Sequence, residues 1–126
     1  MAANAYSTPL TALEAVVLDT ETTGLDARVA RIVQIGAVRL HGARIDAQDR
    51  FDTLVNPGVP IPPVTTGIHG ISDADVVDAP RFAELEEQFN AYIGHSILIG
   101  HTLSFDLAML KREYSLAGKP WREPRM

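Results

Sequence analysis

Asp19 and Glu21 stand two residues apart at the end of the apolar run in "AVVLDTETTGLD", residues 15–26. Side chains on an extended strand alternate with a period of two, so both carboxylates point to one side, about 6.6 to 6.8 Å apart along the chain. Two bare anions at that spacing raise each other's pKa, and burying either is costly. A cation resolves the conflict. Paired divalent metals about 3.5 to 4 Å apart, flanked by carboxylates, hold the attacking and leaving oxygens of a phosphoryl displacement. The plainer alternative is a strand that ends in Asp, Thr and Gly because a turn follows. A third carboxylate, Asp106 in "IGHTLSFDLAML", falls in the first turn of an expected helix, where the helix dipole favours it and Ser104 could serve as the cap. Taken alone, Asp106 reads first as a simple helix-start residue. With no cysteine in the chain and three carboxylates available, Mg²⁺ or Mn²⁺ is the natural cation.

The elements that must position these groups follow from periodicity. "EAVVLDTE" is a continuous apolar run, expected of a strand covered on both faces. After the loop "TTGLDARVA", "RIVQIGAVRL" reads as a second strand. His41-Gly42 supplies a turn and "ARIDAQDRFDTLV" returns as a third, forming a hairpin. The segment from Asn56 to Pro80 carries five of the eight prolines and is expected to cross the surface as loop with a single short helix. "PRFAELEEQFNAYIG" places Phe82, Leu85, Phe89 and Tyr92 at helical spacing, with Pro80 in the first turn and Gly94 as the stop. "HSILIGHT" is a short buried strand, and "SFDLAMLKREYSLAG" a helix with Leu103, Leu107, Leu110 and Tyr114 on one stripe. A hairpin followed by strand-helix-strand-helix predicts an α/β fold with a mixed sheet. Strands one to three are antiparallel and strand four is parallel to strand one, which brings both carboxylate-bearing segments to one sheet edge.

At 126 residues the chain is expected to form a single domain, residues 1–126, with residues 1–12 as a loose N-terminal arm. A hydrophobic content of 46% suits a globular core. The net charge of −5 excludes a general polyanion binder, because non-specific nucleic-acid affinity rests on phosphate neutralisation by Lys and Arg. No apolar run approaches the ~20 residues that span a bilayer, and the first residues do not read as a secretory leader, so a soluble cytoplasmic protein is expected.

"VVLDTETTGLD", "RIVQIGAVRL", "GIHGISDADV" and "GHTLSFDLAML" together resemble the DEDD (DEDDh-type) superfamily of 3′-5′ exonucleases, and most of all its proofreading-subunit, epsilon-like branch. The resemblance runs from about residue 13 to the end. It implies a ribonuclease H-like sheet, a two-metal Mg²⁺ or Mn²⁺ site, and release of nucleoside monophosphates from the 3′ end of single-stranded nucleic acid, DNA rather than RNA. Asp19, Glu21 and Asp106 match the family's first three metal-binding catalytic carboxylates. Thr22, Thr23, Gly24 and Leu25 resemble the loop that holds the terminal nucleotide, with Leu25 against the base, while His69 and Gly70 match a segment beside the substrate. A DNA polymerase subunit is the implied partner.

Two departures stand out. Thr102 replaces the Asn that commonly follows the second motif's histidine, and the third motif, with its general-base histidine and fourth carboxylate, is absent. The sheet is therefore expected to lack its last strand and helix, leaving strand four as an open edge prone to self-association. A missing general base costs about 10²- to 10⁴-fold, so weak or no cleavage is expected of this chain. The alternative is a module that keeps the fold and binds nucleic-acid ends or a protein without catalysis. Arg28 and Arg31, flanking the first loop, could meet phosphate or simply be solvated charges. His41, His95 and His101 read as turn or packing residues rather than ligands.

Overall fold

The computed structural model describes residues 14–42 and 44–124, so the arm expected over residues 1–12 lies outside the described residues. The elements are β1 (Glu14–Thr22), β2 (Ile32–His41), β3 (Arg44–Leu54), α1 (Pro63–His69), α2 (Asp73–Val76), α3 (Phe82–Ile93), β4 (Ile97–Ile99) and α4 (Leu103–Leu116). The sheet order is β3-β2-β1-β4, with β1 antiparallel to β2, β2 antiparallel to β3, and β1 parallel to β4. This is the mixed sheet that the order of elements predicts. None of the described helices is long and apolar enough to cross a membrane.

One face of the sheet carries the main core. Val16 and Leu18 of β1, Ile35 and Ala37 of β2 and Leu98 of β4 are buried with Phe82, Leu85 and Phe89 of α3 and Met109, Leu110 and Tyr114 of α4. On β1 the alternate residues Ala15, Val17, Asp19 and Glu21 are only half-buried or exposed, so the strand expected to be covered on both faces is covered closely on one. The pairing of β1 with β2 shifts register between Glu21 and Thr22. That irregularity puts Ile32 in the main core with Ile35 and Ala37 despite the odd spacing from Ile35, while Val33 packs with Ile61, Ile71 and Val76.

Four local expectations need correction. The proline-rich segment holds two short helices, α1 and α2, the second closed by a reciprocal capping box between Ser72 and Asp75. Pro80 stands before the N-cap of α3, Arg81, whose N–H donates to Glu84 Oε1 at 2.9 Å. α4 begins at Leu103 with Thr102 at its N-cap, so Ser104 is a helical residue and not the cap. Its buried stripe is Asp106, Met109, Leu110, Glu113 and Tyr114, while Leu103 and Leu107 are half-buried at the rim. The stripe keeps helical spacing but is rotated, because two carboxylates take inward positions that apolar residues were expected to hold.

Gly100, between β4 and α4, permits the close approach on which this geometry depends. A Cβ there would lie 2.9 Å from the backbone oxygen of Leu18 on β1. Gly100→Ala is therefore expected to destabilise the fold by about 1–3 kcal/mol, as overpacking against backbone does. Urea unfolding measures it, and an unchanged midpoint would contradict the close approach.

Candidate active site

β1 ends with Asp19, Thr20, Glu21 and Thr22, and their alternation divides them between the two faces of the sheet. Asp19 is exposed and Glu21 half-buried, whereas Thr20 and Thr22 are buried. Asp106 comes from the helix side. Its carboxylate is 1% exposed, and its Oδ1 accepts a hydrogen bond of 2.6 Å from Thr20 Oγ1, the residue between the other two acids. Asp106 therefore lies beneath the strand through Thr20, while Asp19 and Glu21, on either side of Thr20 in sequence, lie on the opposite, more open face. Parallel pairing of β1 and β4 produces this, since the chain leaves β4 at the same edge where β1 ends.

Asp106 Oδ2 is buried and has no hydrogen-bond partner among the described residues. Burial raises the Asp106 carboxyl above its ordinary value of 3.8, hydrogen bonding from Thr20 works against that, and the charge of Asp19 adds to the rise. A buried carboxylate oxygen without a partner, in the field of a second carboxylate, suits a divalent cation, which would compensate both charges. The ligand atoms of Asp19, Glu21 and Asp106 do not form a set lying within 4.8 Å of one another. Among the described residues such a set is His41, Asp46 and Asp49, at the other end of the sheet where β2 turns into β3. There Asp49 Oδ2 already accepts from Arg39 Nε at 3.0 Å and lies 3.2 Å from His41 Nε2, an ion-pair network around a hairpin end.

The loop after β1 is held from several sides. Thr22 Oγ1 donates to Gly24 O at 2.6 Å, Thr23 N–H donates to Arg31 O at 2.9 Å, and Arg31 N–H donates to Thr23 Oγ1 at 3.0 Å. Leu25, at the tip, is 89% exposed. His69, the last residue of α1, places Nε2 3.1 Å from Thr22 O and accepts the Ile71 N–H at Nδ1, which makes Nε2 the protonated nitrogen and donor. Gly70 follows in the left-handed conformation, φ 78°, and ends α1. α1 buries no residue, and Val64 and Ile68, one turn apart, stand exposed on it.

Some residues are placed differently from the sequence reading. Arg31 is half-buried and pairs with buried Glu113, and Arg28 pairs with Asp26 at the surface. Asp52 was missed. It faces Asp19 across Gly36, since Asp19 pairs with Gly36 and Gly36 with Asp52, and a Cβ on Gly36 would come 3.4 Å from Asp52 Oδ1. The hairpin register carries that signal, but only once the bulge between Val38 and Leu40 is known.

The chain resembles known proteins in sequence and in fold. The exonuclease family model RNase_T matches residues 16–125. A DNA polymerase III subunit epsilon-like protein of Rhodobacter capsulatus is 47% identical over 118 residues, covering 93% of this chain and 17% of that protein. The DNA polymerase III subunit epsilon of Treponema pallidum is 43% identical over 101 residues, covering 80% of this chain and 46% of its own length. The chain therefore spans less than half the length of either relative. Among solved structures, Exonuclease X in complex with 5′ overhanging duplex DNA superposes with a TM-score of 0.63 at 33% identity, covering 75% of this chain and 52% of the other. The fold is that of a ribonuclease H-like domain. The chain belongs to the exonuclease family, and its relatives include the epsilon subunits of bacterial DNA polymerase III.

The raised pKa of Asp106 has a sign that can be checked. The folded state holds this proton more tightly than the unfolded state, so metal-free stability is expected to fall as pH rises from 3.8 through the folded-state value, and to level off above it. Asp106→Asn removes that loss. Its melting midpoint in chelator should exceed the parent's at neutral pH and converge with it toward pH 4, whereas parallel pH curves would show the carboxylate is not strained.

Proposed function

We propose that this chain is a 3′-5′ exonuclease domain that removes nucleoside monophosphates from the 3′ end of single-stranded nucleic acid, DNA in preference to RNA. The observation that carries the reading is the buried, unpartnered Asp106 Oδ2 beside the charge of Asp19. Asp19, Glu21 and Asp106 would hold Mg²⁺ or Mn²⁺, which when bound supplies charge stabilisation to the attacking and leaving oxygens of an in-line displacement. The chain's own residues do the positioning. Thr22, Thr23 and Gly24 form the wall of the loop that meets the terminal nucleotide, and Leu25 offers an almost wholly exposed apolar surface to its base. His69 and Gly70 border the same loop through the contact with Thr22 O. The similarity to polymerase III subunits supports a polymerase partner and a cytoplasmic setting for this domain.

Residues 1–126 are proposed to form one such domain. Because they contain no third motif, cleavage is expected to be about 10²- to 10⁴-fold below that of a site with a positioned general base. The test is hydrolysis of a 3′-labelled single-stranded oligonucleotide with Mn²⁺ or Mg²⁺. Slow cutting that Asp19→Ala abolishes, and that speeds up in a chain extended through a third motif, supports the reading. End binding without cutting in every form favours the non-catalytic alternative, and rapid cutting by these residues alone shows that another group acts as base. The three-residue β4 is an edge strand, so concentration-dependent association is expected in sedimentation, and a monomer at high concentration overturns that.

A further inference from the structure

Glu113 is 2% exposed, yet it is a carboxylate on the inner face of α4. Three donors converge on it: Arg31 Nε at 3.0 Å and Nη2 at 2.9 Å as a fork, and the Ile32 N–H at 3.0 Å. Arg31 is also the residue whose backbone closes the base of the Thr23–Ala30 loop, through paired hydrogen bonds with Thr23. One turn of α4 therefore grips one foot of that loop. A second grip comes from Arg112 Nη1, which donates to Ala30 O at 3.3 Å. At its other end the same helix carries Asp106 under Thr20. Asp106 and Glu113 are seven residues apart, about 10.5 Å along a rigid α-helix.

We propose that the Arg31–Glu113 pair is a positioning clamp: it uses α4 as a ruler to set the loop bearing Leu25 at a fixed place relative to Asp106, and so sets the affinity for the terminal nucleotide. A buried ion pair is weak evidence of a device for stability, since apolar side chains of similar volume often stabilise as much. A bidentate guanidinium–carboxylate contact does something they cannot, fixing orientation as well as distance. The loop's exposed residues Leu25 and Val29 touch solvent, and apart from the packing of Ala27 on the main core the clamp at Arg31, with the Arg112 contact, is what ties its C-terminal foot to α4. The inference deepens the proposed function and rests on it for the identity of the ligand.

The test uses two variants. R31M/E113Q removes both charges together and keeps a carbonyl for the Ile32 N–H; R31K keeps the charge and loses the fork. Amide hydrogen exchange at Thr23 and Arg31, Mn²⁺ affinity alone, and affinity for thymidine 5′-monophosphate with Mn²⁺ are measured in each. In the double variant, exchange is expected to quicken at least tenfold and mononucleotide affinity to fall at least tenfold, with Mn²⁺ affinity within twofold of the parent's. R31K should shift the same two readouts by a smaller factor. Unchanged exchange, or a parallel loss of Mn²⁺ and mononucleotide affinity, overturns the clamp. If the double variant does not fold, R31K decides by the same criteria. A parent chain that binds no mononucleotide counts against the proposed function, and the exchange readout then decides whether the clamp exists.

Discussion

Much of the architecture converges on the hydrogen bond from Thr20 to Asp106. To reach it, α4 must begin immediately after β4, β4 must run parallel to β1, and Gly100 must let the backbone pass within a methyl group's reach of Leu18. Burying a carboxylate this fully is unfavourable without compensation, and Thr20 satisfies only one of its two oxygens. The fold therefore stores an electrostatic deficit at the edge where Asp19 and Glu21 emerge. Local strain of this kind persists where the surrounding core over-determines it, and here that core includes Leu18, Ile35, Met109 and Leu110, all buried to 1% exposure or less.

The two inward carboxylates of α4 make an instructive pair. Asp106 is left partly unsatisfied, and Glu113 is satisfied three times over. They occupy equivalent positions on the buried stripe, two turns apart, in opposite electrostatic conditions. Burial of a charged side chain is thus not itself the mark of a site. The mark is a buried charge whose hydrogen-bonding capacity is unfilled.

Strand order, the β2–β3 hairpin and both long helices were legible because hydrophobic periodicity is a local signal, as in Phe82, Leu85 and Phe89 on α3. The pairing of Asp19 and Glu21 on one side followed from strand alternation, and the position of Asp106 from the helix start. What the sequence could not disclose were partnerships across 80 or more residues. Arg31 read as a free cation because Glu113 lies 82 residues away, and the stripe of α4 was misplaced because two acids pass for surface residues until their partners are known. Asp52 was hidden by a bulge that changes the count along β3. The cap at Thr102 was missed for a smaller reason: it makes no side-chain capping bond, so its residue type gave no stronger signal than Ser104.

Thr20 and Asp106 are separated by 86 positions, and the sheet rather than the intervening chain brings them together. The entropy of closing a flexible loop grows only with the logarithm of its length, about 0.6 kcal/mol for each doubling. The surface segments between the two residues can therefore lengthen or shorten at little thermodynamic expense, provided β4 still docks beside β1.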